Sequence, residues 1–403
     1  MLLTKVRCLL ATSLLALGVG CSSQNTTDTA EDDAISGVLS TEVLNQGITG
    51  NCWIYAGGAF VEATSGMTEG HYSIAYLSYW DWYERITATP ANNQMKWWGG
   101  SWERFRMLGS RYGLMAIQSF VMDDLKDTTA AYQRIAASMK SGALATEKAR
   151  KDPAIVRAEL NRAFKLPAPM VRALELLFTA GRPVDLEHGA TAAPPITSPE
   201  AITVRVPKPD GSLESVSLQD VFGTLNLLGN RTGRKMWQVA LYPGSADAPP
   251  SADEVHAFYR RIQRVLNTGT PMPFSWFVDN ARKNQFGEFK GVNAGASASI
   301  GSHQVLVTDY QVTNVPKFGT LRAGEPATDE QKQAALDPAA SLEFFRVKNS
   351  WGPQPKNPQP GYNDIYADYL GAPSTTCPTD DPTVTGCIRV PGMLRAVALP
   401  PGF

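Results

Sequence analysis

Histidine is scarce in this chain, with four residues in 403, and cysteine nearly so, with five. Chemistry that needs either must therefore be sought at very few positions. An excess of charge of either sign is also missing. Thirty-seven Lys and Arg face 38 Asp and Glu for a net charge of −1, so no long-range field recruits nucleic acid or an anionic surface. No basic stripe with interleaved aromatics is present, and no internal repeat is visible. What is there is 43% hydrophobic and 19% charged, enough for one large or two ordinary globular domains with a full core.

The first residues read as an export signal, with Lys5 and Arg7 ahead of the apolar run "CLLATSLLALGVG" and then Cys21. The run is too short to span a bilayer as a mature helix. "LGVGC" resembles the lipobox of bacterial lipoproteins, which implies lipid on Cys21, a membrane partner reached through that anchor, and a periplasmic or cell-surface location. Gly18 stands where a larger aliphatic is usual, so plain secretion is the alternative. The polar, acidic stretch "SSQNTTDTAEDDA" follows as a tether with nothing to pack. Residues 1–21 are thus read as signal, 22–40 as tether and 41–403 as the folded domain.

Two of the remaining cysteines, Cys377 and Cys387, flank "PTDDPTVTG". In an exported protein such a pair across a polar loop is most simply a disulfide. Metal fits poorly, because no histidine lies near and the spacing is not that of a zinc site. Cys52 is then the unpaired thiol of the domain, and a leftover thiol in an oxidising compartment calls for a reason.

From Cys52 to about Ala180 the apolar spacing is helical, as in "CWIYAGGAFVEA", "SIAYLSYWDWYERI" and "SWERFRMLGSRYG". After the loop "HGATAAPPITSPE" come strand-like runs, "AITVRV", "MWQVALY", "PFSWFV", "HQVLVTDY", "EFFRVKNSW" and "MLRAVAL", broken by the helix "ADEVHAFYRRIQRVL". A helical half followed by a β-rich half predicts an α+β fold with a cleft where they meet.

In "NQGITGNCWIYAGGAF" Cys52 opens the first predicted helix, where the macrodipole favours a thiolate. Gln46 lies one loop turn before it and can aim an amide at an oxyanion formed beside the Cys52 N–H. Alone, Cys-Trp can equally start a core helix. Among the histidines, His71 precedes a helix, His188 lies in a Pro/Ala-rich loop and His256 sits on an amphipathic helix. His303 differs, because it follows the flexible "GASASIGS" and opens a strand. Asn349 closes another strand, followed by Ser350, Trp351 and Gly352. Its amide can hold the far nitrogen of an imidazole under the Trp351 indole, and a neutral amide suffices when the thiolate is the imidazolium's charge partner.

Glutamine six residues before Cys-Trp, Gly-x-His opening a strand and Asn-Ser-Trp-Gly closing one, in that order, resemble the papain-like cysteine peptidases. "GNCWIYA", "SIAYLSYWDWYER", "WWGGSWERFRMLGSRYGLM" and "EFFRVKNSWG" resemble the bleomycin hydrolase and aminopeptidase C branch. The separation 303 − 52 = 251 points the same way, since ordinary papain-type enzymes place the histidine about 130–150 residues on. The likeness covers Asn45 to Leu399 and is weak between Val121 and Pro250, so 120–250 is read as a divergent, largely helical insertion. It implies a papain-like fold, Cys52 as nucleophile, His303 as general acid/base, Asn349 as orienter and Gln46 as oxyanion donor. It further implies Gly99 and Gly100 as a backbone rail for a peptide or protein substrate, Trp351 as shield, and no metal or cofactor.

The departures matter. Ser22 to Leu44 is too short for a helical inhibitory propeptide, and about thirty residues, "QVTNVPKFGTLRAGEPATDEQKQAALDPAA", separate the histidine and asparagine strands. The resembled branch carries a C-terminal tail that enters the cleft and makes an aminopeptidase. Here four residues follow "MLRAVAL", reaching at most about 14 Å. The expectation is an endopeptidase, with the "FGTLRAGEPATDEQ" stretch of the 312–340 insertion able to fill the same space. Competing readings are an aminopeptidase, a transglutaminase-like acyl transferase, which would use aspartate as its third member, and an idle peptidase scaffold serving as a surface-binding protein.

Overall fold

A computed structural model describes residues 42–67, 70–89, 99–121, 123–179, 182–183, 186–188, 192, 194–226, 228–245, 247–291, 300–376 and 388–403. All of them belong to one unit spanning residues 32–403. The signal, the tether with Cys21, and the Cys377–Cys387 loop lie outside the described residues.

Helix α1 (Cys52–Ser65) is apolar on every side, and Trp53, Ile54, Phe60 and Val61 are all buried, as expected of a helix enclosed by protein. The Phe60 ring meets the edges of Trp102 and Trp237 at 5.1 and 4.8 Å. Large-to-alanine changes at such positions cost about 3–5 kcal/mol. Helix α2 (Ile74–Ala88) begins where the Ser73 hydroxyl accepts the Tyr76 N–H, a side-chain N-cap. Helix α3 (Trp102–Tyr112) follows Gly99 and Gly100. Helices α4 (Asp124–Ser141) and α5 (Pro153–Phe164) pack on α2 through Trp82, Tyr132 and Phe164.

Within 120–250 the longer helices give way after Glu175 to short strand pairs, among them the hairpin Thr203–Pro207 with Leu213–Ser217, and to the five-residue helix Leu218–Phe222. Helix α6 (Ala252–Leu266) follows, opened by a capping box of Ser251 and Glu254.

The main sheet of the described residues has eight strands: β1 (Gln238–Leu241), β2 (Met272–Val278), β3 (Glu288–Phe289), β4 (Gly301–Val315), β5 (Gly319–Leu321), β6 (Ser341–Lys348), β7 (Tyr362–Tyr366) and β8 (Leu394–Leu399). Their order is β3-β7-β6-β4-β2-β8-β1, with β5 on β4. Only β3 and β7 run parallel. Helix α1 packs against β4, so the helical and sheet parts share one core.

The long strand β4 matters for the site. It carries His303 near its start, opposite Trp276, and pairs with β5 only at Val312 and Val315. At roughly 3.3 Å per residue, the 312–340 insertion therefore begins about 30 Å from His303.

Candidate active site

Cys52 is the first residue of α1 and is buried, 8% exposed. The residue before it, Asn51, does not cap the helix with its side chain. Its Nδ2 instead donates to Ser78 Oγ at 3.1 Å, and its Oδ1 accepts from Thr49 Oγ1 at 2.7 Å. Those bonds tie the 45–51 loop to α2. On the other side the loop is zipped to the segment after β6: Gln46 N–H donates to the Ser350 carbonyl at 2.7 Å, and Gly352 N–H to the Leu44 carbonyl at 3.2 Å.

The side chain of Gln46 is held at both ends. Its Oε1 accepts from Ser350 Oγ at 2.5 Å, and its Nε2 donates to the Thr49 carbonyl at 2.8 Å. One amide hydrogen of Gln46 is left for another acceptor.

Gly99 and Gly100 reach the same place from the α2–α3 connection. Gly99 N–H donates to the Gly50 carbonyl at 3.2 Å, and its carbonyl accepts from Arg85 Nη2 at 2.5 Å. A Cβ on Gly100 would sit 2.3 Å from the Trp53 indole, so only glycine lets this backbone lie against α1.

His303 faces the sheet side. Its Nε2 is 2.8 Å from Asn349 Oδ1, which also accepts the Ser350 N–H at 2.7 Å. The Trp351 indole stacks on the imidazole with centroids 4.7 Å apart and planes at 21°. Lys283 Nζ lies 5.1 Å over the same indole. A cavity of about 490 Å³ is lined by Cys52, Gly99, Gly100 and His303, with Ala396 and Val397 of β8 on the sheet side. The structure thus brings Cys52, Gly99, Gly100 and His303 to one cavity, with Asn349 and Trp351 behind the imidazole and Gln46 bonded to Ser350.

Burial dominates the electrostatics. It pushes the Cys52 thiol up to about 11, against backbone N–H groups of Gln304, Trp53 and Cys52 that lower it. It holds His303 down at about 4, with the Asn349 hydrogen bond acting the other way. Burial thus disfavours the charged form of each group taken singly, and a proton passed from sulfur to imidazole leaves the net charge of the pair unchanged.

Several contributors were not foreseen. Ser350, Thr49 and Asn51 hold the Gln46 loop. Asn363 accepts from Asn349 Nδ2 at 2.8 Å. The "NSWG" motif already contained Ser350, whereas "GYNDIY" carries both Asn363 and Asp364 and offers no signal that separates them. Among the described residues, insertion 312–340 contributes none to the cavity lining.

No protein-family model matches this chain, and no curated protein matches it. Among solved structures it is similar to PepW of Lactobacillus rhamnosis HN001, 13% identical over 90% of this chain and 80% of that one, TM-score 0.42. It is similar to SERA5E of Plasmodium falciparum, 13% identical over 92% of each chain, TM-score 0.38. A third is the bromelain protease of Ananas comosus in complex with the E64 inhibitor, 13% identical over 90% and 93%, TM-score 0.26. Likenesses this distant assign no activity, and the functional reading rests on the site itself.

Proposed function

We propose that this chain is a papain-like cysteine peptidase in which Cys52, His303 and Asn349 form the catalytic triad. The observation that carries the reading is the His303–Asn349 hydrogen bond of 2.8 Å under the Trp351 indole, at a cavity that also receives Cys52 from the start of α1. An amide partner leaves the imidazole free to take a proton, and a helix N-terminus favours the sulfur's negative charge.

His303 takes the Cys52 proton, and the sulfur attacks a peptide carbonyl. The Cys52 N–H and the remaining amide hydrogen of Gln46 receive the oxyanion, each such donor contributing on the order of 3 kcal/mol. His303 then protonates the departing amine, and water, deprotonated by His303, hydrolyses the thioester. Gly100 offers backbone groups along which an extended peptide can lie, and Gly99, tied to Gly50 and Arg85, holds that backbone in place.

Endopeptidase action is the preferred mode. Among the described residues, insertion 312–340 supplies none to the cavity lining, which leaves room for a peptide on both sides of Cys52. Hydrolysis of a peptide and of its N-acetylated twin separates the modes, because strict dependence on the free amine would make the enzyme an aminopeptidase.

Labelling with a thiol-reactive peptidyl probe tests the reading as a whole: the full chain should label at Cys52 and Cys52→Ala should not. A lipid anchor on Cys21 is the companion proposal. Cys21→Ala should release the protein from membranes or block its processing, whereas an unmodified N-terminus elsewhere would leave plain secretion.

A further inference from the structure

The polarity of the hydrogen bonds behind His303 is set by two backbone groups. At one end the Gly287 carbonyl can only accept, so the amide of Asn363 that meets it at 2.7 Å must present Nδ2. Asn363 then presents Oδ1 to Asn349, which must answer with its own Nδ2, 2.8 Å away. At the other end the Ser350 N–H can only donate, and it meets Asn349 Oδ1 at 2.7 Å. Both constraints turn the Asn349 oxygen toward His303 Nε2, 2.8 Å away, so Nε2 must carry the hydrogen and Nδ1 is left as the basic nitrogen.

Asn363 is buried, 1% exposed, on β7, where it pairs in register with Val347 of β6. Gly287 keeps the far end open, since a Cβ there would lie 2.8 Å from Asn363 Nδ2.

We infer that Asn363 is a positioning residue: clamped between the Gly287 carbonyl and Asn349, it locks the Asn349 amide in one orientation and thereby holds His303 in its Nε2–H tautomer. Its importance for turnover rests on the peptidase reading above, but the tautomer itself does not. A side chain that only filled space would leave the imidazole unaffected when replaced by an apolar one of similar size.

The test uses the full chain labelled with ¹⁵N at histidine, with His303 identified by its absence from the His303→Gln spectrum. In the wild type the ring shifts should report Nε2–H. In Asn363→Leu a Nδ1–H population should grow and kcat should fall between about tenfold and a hundredfold, the range seen when an outer hydrogen-bond partner is removed, with KM nearly unchanged. Asn363→Asp keeps an oxygen facing Asn349 Nδ2 and, at a pH where its other oxygen carries the proton that the Gly287 carbonyl requires, should retain the Nε2–H form. A wild-type His303 in the Nδ1–H form would overturn the inference whatever the variants do, as would a folded Asn363→Leu with wild-type tautomer and kcat. A chain that shifts tautomer as expected but cleaves no peptide would instead sink the peptidase reading and leave the role of Asn363 standing.

Discussion

His71 and His303 are both held by side-chain oxygens, yet their surroundings pull them in opposite directions. His71 Nδ1 lies 3.2 Å from Glu62, with Glu42 3.7 Å from its other nitrogen. The hydrogen bond to Glu62 raises its pKa above the ordinary value, against burial and the nearby Lys348 charge. His303 has the amide of Asn349 where His71 has a carboxylate, and burial holds it at about 4. A carboxylate partner favours a standing imidazolium, which is useful for holding Glu62 between α1 and the turn before α2. An amide partner orients the ring and leaves it neutral, which a proton-accepting group requires.

The largest effect expected from this contrast is on turnover. Cys52→Ala and His303→Ala should each lower peptide hydrolysis by on the order of 10⁴-fold or more, as removal of one member of a cooperating set does, with the far-UV spectrum and cooperative unfolding retained. The corresponding loss for His71→Ala should be far smaller, and an equal loss would break the distinction between the two histidines. Asn349→Ala should leave measurable activity. Asn349→Asp gives His303 the kind of partner His71 has, so its titration midpoint should rise, as an NMR titration of the ring would show.

Acid stability sharpens the comparison further. The folded pKa of His303, about 4, lies below the ordinary value of 6.5, so the unfolded state binds the proton more readily. Stability from this group is fully present above pH 6.5 and is lost as pH falls toward 4, by about 3 kcal/mol over that interval. In urea unfolding at pH 7.5 and 4.5, His303→Gln should therefore lose less stability on acidification than the wild type. A parallel loss in both would mean that His303 protonates in the folded state as easily as in water.

The parts of the molecule readable from the chain are those where chemistry and local pattern coincide. Cys52 begins a helix, His303 a strand, and Asn349 follows a strand, so period and residue type pointed to the same positions. Ser350 could be seen as part of a motif, but its bond to Gln46 joins residues 304 positions apart, and no local pattern reports a contact at that range. Asn363 sits in a five-residue strand paired on both sides, where alternation does not reveal which polar residue turns inward. The two-residue strands between Phe178 and Thr232 are too short to show a period at all. The role of insertion 312–340 was not legible for a topological reason: β5 returns along the far end of β4, which carries the insertion away from His303.

The smallest expected effect belongs to the other histidine. Glu62→Gln keeps an oxygen that can accept the Tyr72 N–H, now 3.0 Å from Glu62 Oε1, and removes only the charge facing His71. The charged groups that face this imidazole are Glu62, Glu42 and Lys348, the two carboxylates raising its pKa and the ammonium lowering it. Because the folded pKa of His71 is raised, its contribution to stability is fully present below pH 6.5 and is lost as pH rises through the folded value. The wild type should therefore gain stability on going from pH 8 to pH 6. In Glu62→Gln that gain should shrink, while the His303 titration stays where it was. If both midpoints moved together, the two histidines would be coupled through α1, and the contrast between an amide-held and a carboxylate-held imidazole could not be assigned to their immediate partners.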